Sequence, residues 1–118
     1  MKMIRNFYEV SKRQITSHEG EGKVELYEMW DKPEFNDNVD FFDRVVMPPK
    51  TSMGYHKHEN TTEMYIILEG TGTITIEGEE HAIKKGDMIK NPPYGSHGLK
   101  NDSDSDLDLL VLQITNPE

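Results

Sequence analysis

The chain of 118 residues contains no cysteine, only one tryptophan and no long hydrophobic run. Without cysteine there is no disulfide framework and no thiol chemistry. A membrane-spanning helix requires about 20 consecutive apolar residues, and no segment approaches that length. The N-terminal sequence also lacks the apolar stretch of a signal peptide, so we expect a cytoplasmic protein.

Positive charge is also scarce. The 13 Lys and Arg residues are outnumbered by 22 Asp and Glu residues, which gives a formal net charge of −9. No basic cluster is longer than the dipeptides at residues 12–13 and 84–85. Binding to a phosphate backbone requires a basic face, so we expect no nucleic-acid partner. Solubility is a sufficient explanation for the acidity itself.

The length predicts one domain over residues 1–118, with a core of its own. Hydrophobic residues make up only 34% of the chain, but they concentrate at residues 41–47, 64–68 and 107–114. Turn signals separate short runs of strand-forming residues, and no segment has the length and period of a helix. This pattern predicts an antiparallel all-β sandwich or barrel. Residues 1–22 carry little information, and His18 among them is interpreted as a solvated loop residue.

Three residues of metal-binding types, His56, His58 and Glu63, lie close together in the sequence. Alternate side chains of a strand share one face, so the two histidines point the same way. Residues 59–62 are polar and turn-prone, and Glu63 opens the next strand, which places its carboxylate beside the histidines. Two neutral imidazoles and a carboxylate suit manganese, iron, cobalt, nickel or zinc.

A fourth candidate ligand, His97, follows a loop rich in proline and glycine. This stretch and the first one together resemble the paired motifs of the cupin superfamily. The positions that match the first motif are His56, His58, Glu63 and Gly70, and those that match the second are Gly86, Pro92, His97 and Asn101. Lys50 and Tyr94 stand where the motifs have glycine. Both departures concern turn geometry, and every ligand position is filled.

The resemblance implies a double-stranded β-helix, a jelly-roll-like barrel with one divalent transition metal held by His56, His58, Glu63 and His97. It also implies a small-molecule ligand or substrate, such as a small organic acid, handled by a dioxygenase, decarboxylase or lyase. A non-catalytic binding or sensing cupin is the alternative. Cupins often form homodimers through an N-terminal strand, here residues 24–30, so Trp30 belongs either to such an interface or to the core of its own chain.

Three further residues are candidates for roles at the site. Tyr65 follows Glu63 by two positions, so it faces the same interior and serves either as a general base or as wall material. Arg44 is the one cation in an apolar strand, and it either pairs with a substrate carboxylate or lies on the outer face of the sheet. Tyr94, in the loop before His97, is a candidate for the mouth of the pocket.

Overall fold

The computed structural model describes residues 3–35 and 37–117. Apart from one turn of 3-10 helix at Lys32–Glu34, the regular elements of these residues are ten strands. They are β1 (Lys12–Ile15), β2 (Val24–Asp31), β3 (Val39–Met47), β4 (Ser52–Lys57), β5 (Thr61–Glu69), β6 (Thr71–Ile76), β7 (Glu79–Lys84), β8 (Met88–Asn91), β9 (Ser96–Lys100) and β10 (Leu107–Thr115).

The strands form two antiparallel sheets, which confirms the predicted all-β, jelly-roll-like fold. The larger sheet has the order β1-β2-β3-β10-β5-β8, and the smaller one has the order β4-β9-β6-β7. Alternation along β5 explains how the core is built, since Glu63, Tyr65 and Ile67 are buried while their neighbours are only partly so. Ile74 and Leu99 contribute the core of the smaller sheet.

One strand was not predicted from the sequence. In β1, three of the four residues are exposed, because this strand lies at the edge of the larger sheet and pairs only with β2. Surface ion pairs join Lys12 to Glu25 and Arg13 to Glu28 across these two strands. An edge strand with polar residues on both faces shows no alternation of apolar residues, which is the signal that predicts a strand.

The two motif positions at which this chain has another residue in place of glycine both adopt left-handed backbone. The φ angle is +66° at Lys50 and +60° at Tyr94. Glycine adopts this region without steric cost, so the motif glycines are explained by the turns that they form. This chain forms both turns with Lys50 and Tyr94 in place of glycine.

Trp30 is partly buried in β2, and the guanidinium of Arg5 lies 5.5 Å from the centre of its ring. This tryptophan therefore packs against its own chain. The homodimer stays a prediction. Among the described residues, no helix has the length and hydropathy required to cross a membrane.

Candidate functional site

The four predicted ligands meet between the two sheets. His56 on β4 and His97 on β9 are directly paired across neighbouring strands of the smaller sheet. Glu63 is contributed by β5 of the larger sheet, from a buried, inward-facing position. His58 lies one residue beyond the end of β4. The site thus joins both sheets, because the predicted strand, turn and returning strand are β4 of one sheet and β5 of the other.

Distances within this group are short. The Nε2 atom of His97 lies 3.0 Å from the Oε1 atom of Glu63. The ring centre of His97 is 4.7 Å from that of His56 and 5.0 Å from that of His58. His97 is only 1% exposed, and Glu63 is 8% exposed. The structure therefore gathers all four side chains in one cluster, in which His97 and Glu63 are buried and His56 and His58 are partly buried.

Hydrogen bonds orient the imidazole rings. His56 Nδ1 donates to the Gly54 carbonyl at 2.8 Å, which leaves the lone pair of the neutral ring on Nε2. His58 Nδ1 shares a hydrogen bond of 2.9 Å with the Thr61 hydroxyl. The Nε2 atom of His58 and the Nδ1 atom of His97 are buried, and neither has a partner among the described residues.

The protonation states of the cluster follow from its surroundings. Burial alone would raise the pKa of Glu63, but hydrogen bonds from His97 and Tyr65 hold it below its usual value. Partial burial and the neighbouring His97 lower the pKa of His58. Neutral imidazoles and an ionised carboxylate are the forms in which these groups bind metals.

Tyr65 is the one further candidate that lies within the cluster. Its hydroxyl donates to Glu63 Oε1 at 2.8 Å, and its ring meets that of His97 edge-on, with the centres 5.8 Å apart. Burial, together with the charge of Glu63, raises the pKa of Tyr65 well above its usual value. The tyrosine is therefore a hydrogen-bond donor that orients the carboxylate.

The donor set fits a divalent transition metal. Three imidazoles and a carboxylate are suitable ligands, and the buried Nε2 atom of His58 has no described partner. In residues 3–35 and 37–117, however, no three His, Asp, Glu or Cys side chains are arranged as a formed metal site. The His97–Glu63 hydrogen bond occupies two of the required donor atoms. A metal would replace that hydrogen bond.

A cavity of about 320 Å³ adjoins the cluster and is lined by Glu63 and Tyr65. Apolar side chains form about half of its other walls, among them Leu26, Phe41, Val45 and Val111 of the larger sheet. Acidic side chains line it as well, namely Glu28, Asp31, Asp40 and Asp43. One oxygen of Asp43 accepts the Met29 N–H at 2.7 Å. Burial raises the pKa of Asp43 to about 6.

Two candidates lie away from the cavity. Arg44 lies on the opposite face of β3 from Asp43, because successive residues of a strand point to opposite faces. There its guanidinium forms two hydrogen bonds with Asp108, at 2.9 and 2.7 Å, and stacks near Tyr27. This position agrees with the outward-facing alternative. Tyr94 is 56% exposed and does not line the cavity.

Sequence reasoning missed three residues at the site. His18, interpreted as a solvated loop residue, stacks on His56 with 3.5 Å between the ring centres. Asn91 is 1% exposed, pairs with Glu63 across β8 and β5, and its amide has no described partner. Asp43 is a carboxylate within an apolar strand. For Asp43 the sequence did contain a signal, since a charged residue in a buried strand requires a partner or a function.

Comparisons with known proteins show which family the chain resembles. A family model described as "Cupin domain" matches residues 43–113, which include all four candidate ligands. An oxalate-binding protein of Thermotoga maritima is 32% identical over 113 residues, which cover 95% of this chain and 93% of that protein.

A crystal structure from Thermotoga maritima, described as a predicted oxalate decarboxylase, superposes with a TM-score of 0.93. It is 31% identical in sequence, and the alignment covers 97% of this chain and 100% of that one. A 5-nitrosalicylic acid 1,2-dioxygenase from Bradyrhizobium is 31% identical over 64 residues, or 54% of this chain and 30% of that protein.

Proposed function

Because the chain belongs to the family of cupin domains, we propose that it binds one divalent transition metal through His56, His58, Glu63 and His97. In this proposal the metal holds a small organic acid in the adjoining cavity. Manganese, iron, cobalt, nickel and zinc all suit the ligand set.

The observation that carries the proposal is the meeting of the four side chains next to the cavity. His56 and His97 come from one sheet and Glu63 from the other, so the cluster depends on the complete fold. His97 Nε2 and Glu63 Oε1 lie side by side, 3.0 Å apart, as a hydrogen-bonded pair that a metal would replace.

The side chains of the site have separate tasks in this proposal. The three imidazoles and Glu63 hold the metal, which when bound polarises a carboxylate or carbonyl of the ligand. Tyr65 fixes the orientation of Glu63 through its hydrogen bond. The apolar part of the wall packs against the ligand, and Asp43 is one of several carboxyl groups that can form a hydrogen bond to it away from the metal ligands.

The names of the relatives support oxalate or a similar acid as the ligand, and they leave both functional classes open. One relative is called an oxalate-binding protein, and a similar structure is described as a predicted oxalate decarboxylase. An enzyme of the decarboxylase, dioxygenase or lyase type is our first candidate. A non-catalytic binding protein is the second, and the name of the 32% identical relative favours it.

The experiment begins with anaerobic purification and elemental analysis, followed by calorimetric titration of the metal-loaded protein with oxalate. Saturable binding that requires the metal is expected. Release of carbon dioxide or uptake of oxygen would then identify an enzyme, and binding without turnover would identify the second candidate. A protein that retains no metal, or that binds metal but neither binds nor converts small acids, would contradict the proposal.

A further inference from the structure

The loop between β1 and β2 is fastened to β4 by several hydrogen bonds. The Ser17 carbonyl accepts the Gly54 N–H at 3.0 Å, and the Glu21 carbonyl accepts the Ser52 N–H at 3.0 Å. The Ser52 hydroxyl accepts the Glu21 N–H at 2.8 Å. A side chain at Gly20 would place its Cβ 2.1 Å from the Ser52 carbonyl oxygen. The loop therefore packs against β4 at backbone distance.

Two successive residues of this loop, His18 and Glu19, have left-handed backbone, with φ angles of +47° and +60°. Residues other than glycine rarely adopt this conformation, and it persists only where surrounding contacts enforce it. Here the bonds to β4 enforce it. The result is that His18 is directed towards the cluster, although its side chain remains partly exposed to solvent.

His18 contacts His56 face to face. The ring centres are 3.5 Å apart, and the planes differ by 12°. His18 also lines the same cavity as Glu63. The loop reaches His56 by a second route, because Ser17 binds the Gly54 N–H and the Gly54 carbonyl accepts the proton of His56 Nδ1.

We propose that His18 is a positioning residue for His56. Its ring supports one face of the His56 ring, and the docked loop holds the Gly54 carbonyl that keeps the proton on Nδ1. His56 is thereby held with a free lone pair on Nε2, the form needed for a metal ligand. The link to metal rests on the proposed function, whereas the effect on the His56 ring does not.

The test uses four variants of the full chain. His18→Ala removes the stacked ring, and His18→Phe keeps a flat ring without nitrogen. Gly20→Ala keeps the histidine at position 18 but displaces the loop that carries it from Ser52. His81→Ala is the matched control, because His81 is exposed on β7. Thermal unfolding verifies that each variant is folded.

The first readout is the nitrogen NMR spectrum of the His56 ring in metal-free protein, which reports its tautomer. We expect a single Nδ1–H form in the parent, His18→Phe and His81→Ala, and a mixture in His18→Ala and Gly20→Ala. Loss of the His18 ring current alone, with the His56 ring unmoved, would shift the proton signals without mixing the tautomers. A single Nδ1–H form in His18→Ala would overturn the proposal.

The second readout is the dissociation constant for cobalt(II), measured by competition with a chromogenic chelator. We expect His18→Ala and Gly20→Ala to weaken binding about 10-fold, as for other residues that orient a metal ligand. The dissociation constant of His18→Phe should remain within about 3-fold of the parent value, because phenylalanine keeps the stacked ring. Unchanged affinity in His18→Ala, or no rescue by His18→Phe, would overturn the role of stacking. A parent that binds no cobalt would contradict the proposed function, and the NMR result would still decide the role of His18.

Discussion

The Nε2 atom of His97 lies 3.0 Å from the Oε1 atom of Glu63, although 34 positions separate the two residues in the sequence. They belong to different sheets, so this contact forms only when the sheets pack together. Without a metal, the contact is a buried hydrogen bond to a carboxylate. With a metal, the same two atoms are suited to be neighbouring ligands.

Replacement of these two residues should abolish tight metal binding. We expect Glu63→Gln and His97→Ala each to weaken the affinity by at least about 10-fold, since even residues that only orient a ligand have effects of that size. The measurement is elemental analysis after dialysis against a mild chelator, with His81→Ala as the control. Full occupancy in the double variant would show that the metal binds elsewhere.

Tyr65→Phe removes a buried hydrogen bond to Glu63 and keeps the aromatic ring beside His97. A hydrogen bond to a charged group contributes about 1.5–3 kcal/mol, so the free energy of unfolding of the metal-free protein should fall by about that amount. Urea denaturation measures it. Tyr55→Phe, at a residue that is 54% exposed, is the control and should change little. Equal stability of Tyr65→Phe and the parent would contradict the role given to this hydroxyl.

Asp43 should make the stability depend on pH. Its pKa of about 6 in the folded protein is above the unfolded value of about 3.9. The contribution of Asp43 to the free energy of unfolding is therefore fully present below pH 4 and is lost as the pH rises through 6. Asp43→Asn removes this titration, and the amide oxygen can still accept the Met29 N–H.

The expected result is that Asp43→Asn gains stability relative to the parent between about pH 4 and pH 7.5. Urea denaturation at several pH values measures the difference. Asp104→Asn is the control, because that side chain is 97% exposed. Parallel pH profiles of the parent and Asp43→Asn would show that Asp43 does not titrate as its burial requires.

Arg44 should matter for stability and not for the ligand. The Arg44–Asp108 pair is largely buried, with 10% and 15% of the side chains exposed. Removal of one partner from a buried pair costs about 3–5 kcal/mol, so Arg44→Met should destabilise the fold by roughly that amount. Arg13→Met breaks an exposed pair with Glu28 and should cost less than about 1 kcal/mol. Weaker oxalate binding by a folded Arg44→Met variant would instead support the other prediction, that Arg44 pairs with a substrate carboxylate.

Lys50→Gly should stabilise the protein slightly. The left-handed backbone costs about 1–2 kcal/mol for a residue with a side chain, and the greater flexibility of glycine in the unfolded chain offsets part of the gain. We expect a net increase of up to about 1 kcal/mol in the free energy of unfolding. Lys57→Gly, in the strand β4, is the control and should destabilise. A loss of stability in both variants would contradict this explanation of the turn.

Most of the strands and the grouping of the four candidate ligands were predictable because each depends on a local pattern. Alternation and turn residues mark β5 and β6, and fixed spacing marks His56, His58, Glu63 and His97. The stacking of His18 on His56 was not predictable, since it depends on how a polar loop docks on a strand more than thirty residues later. The orientation of Arg44 was also open, because its strand is apolar on both faces and the sequence does not show which face is inside.

The position of β10 has a consequence for synthesis of the protein. This strand is the last along the described chain, yet it lies between β3 and β5 in the middle of the larger sheet. Until residues 107–115 have left the ribosome, β3 and β5 each have an unpaired edge and cannot reach each other through it. Unpaired edges of nascent sheets bind other chains and promote aggregation. Translation that ends before β10 should therefore release insoluble chains. These chains would already contain the four candidate ligands.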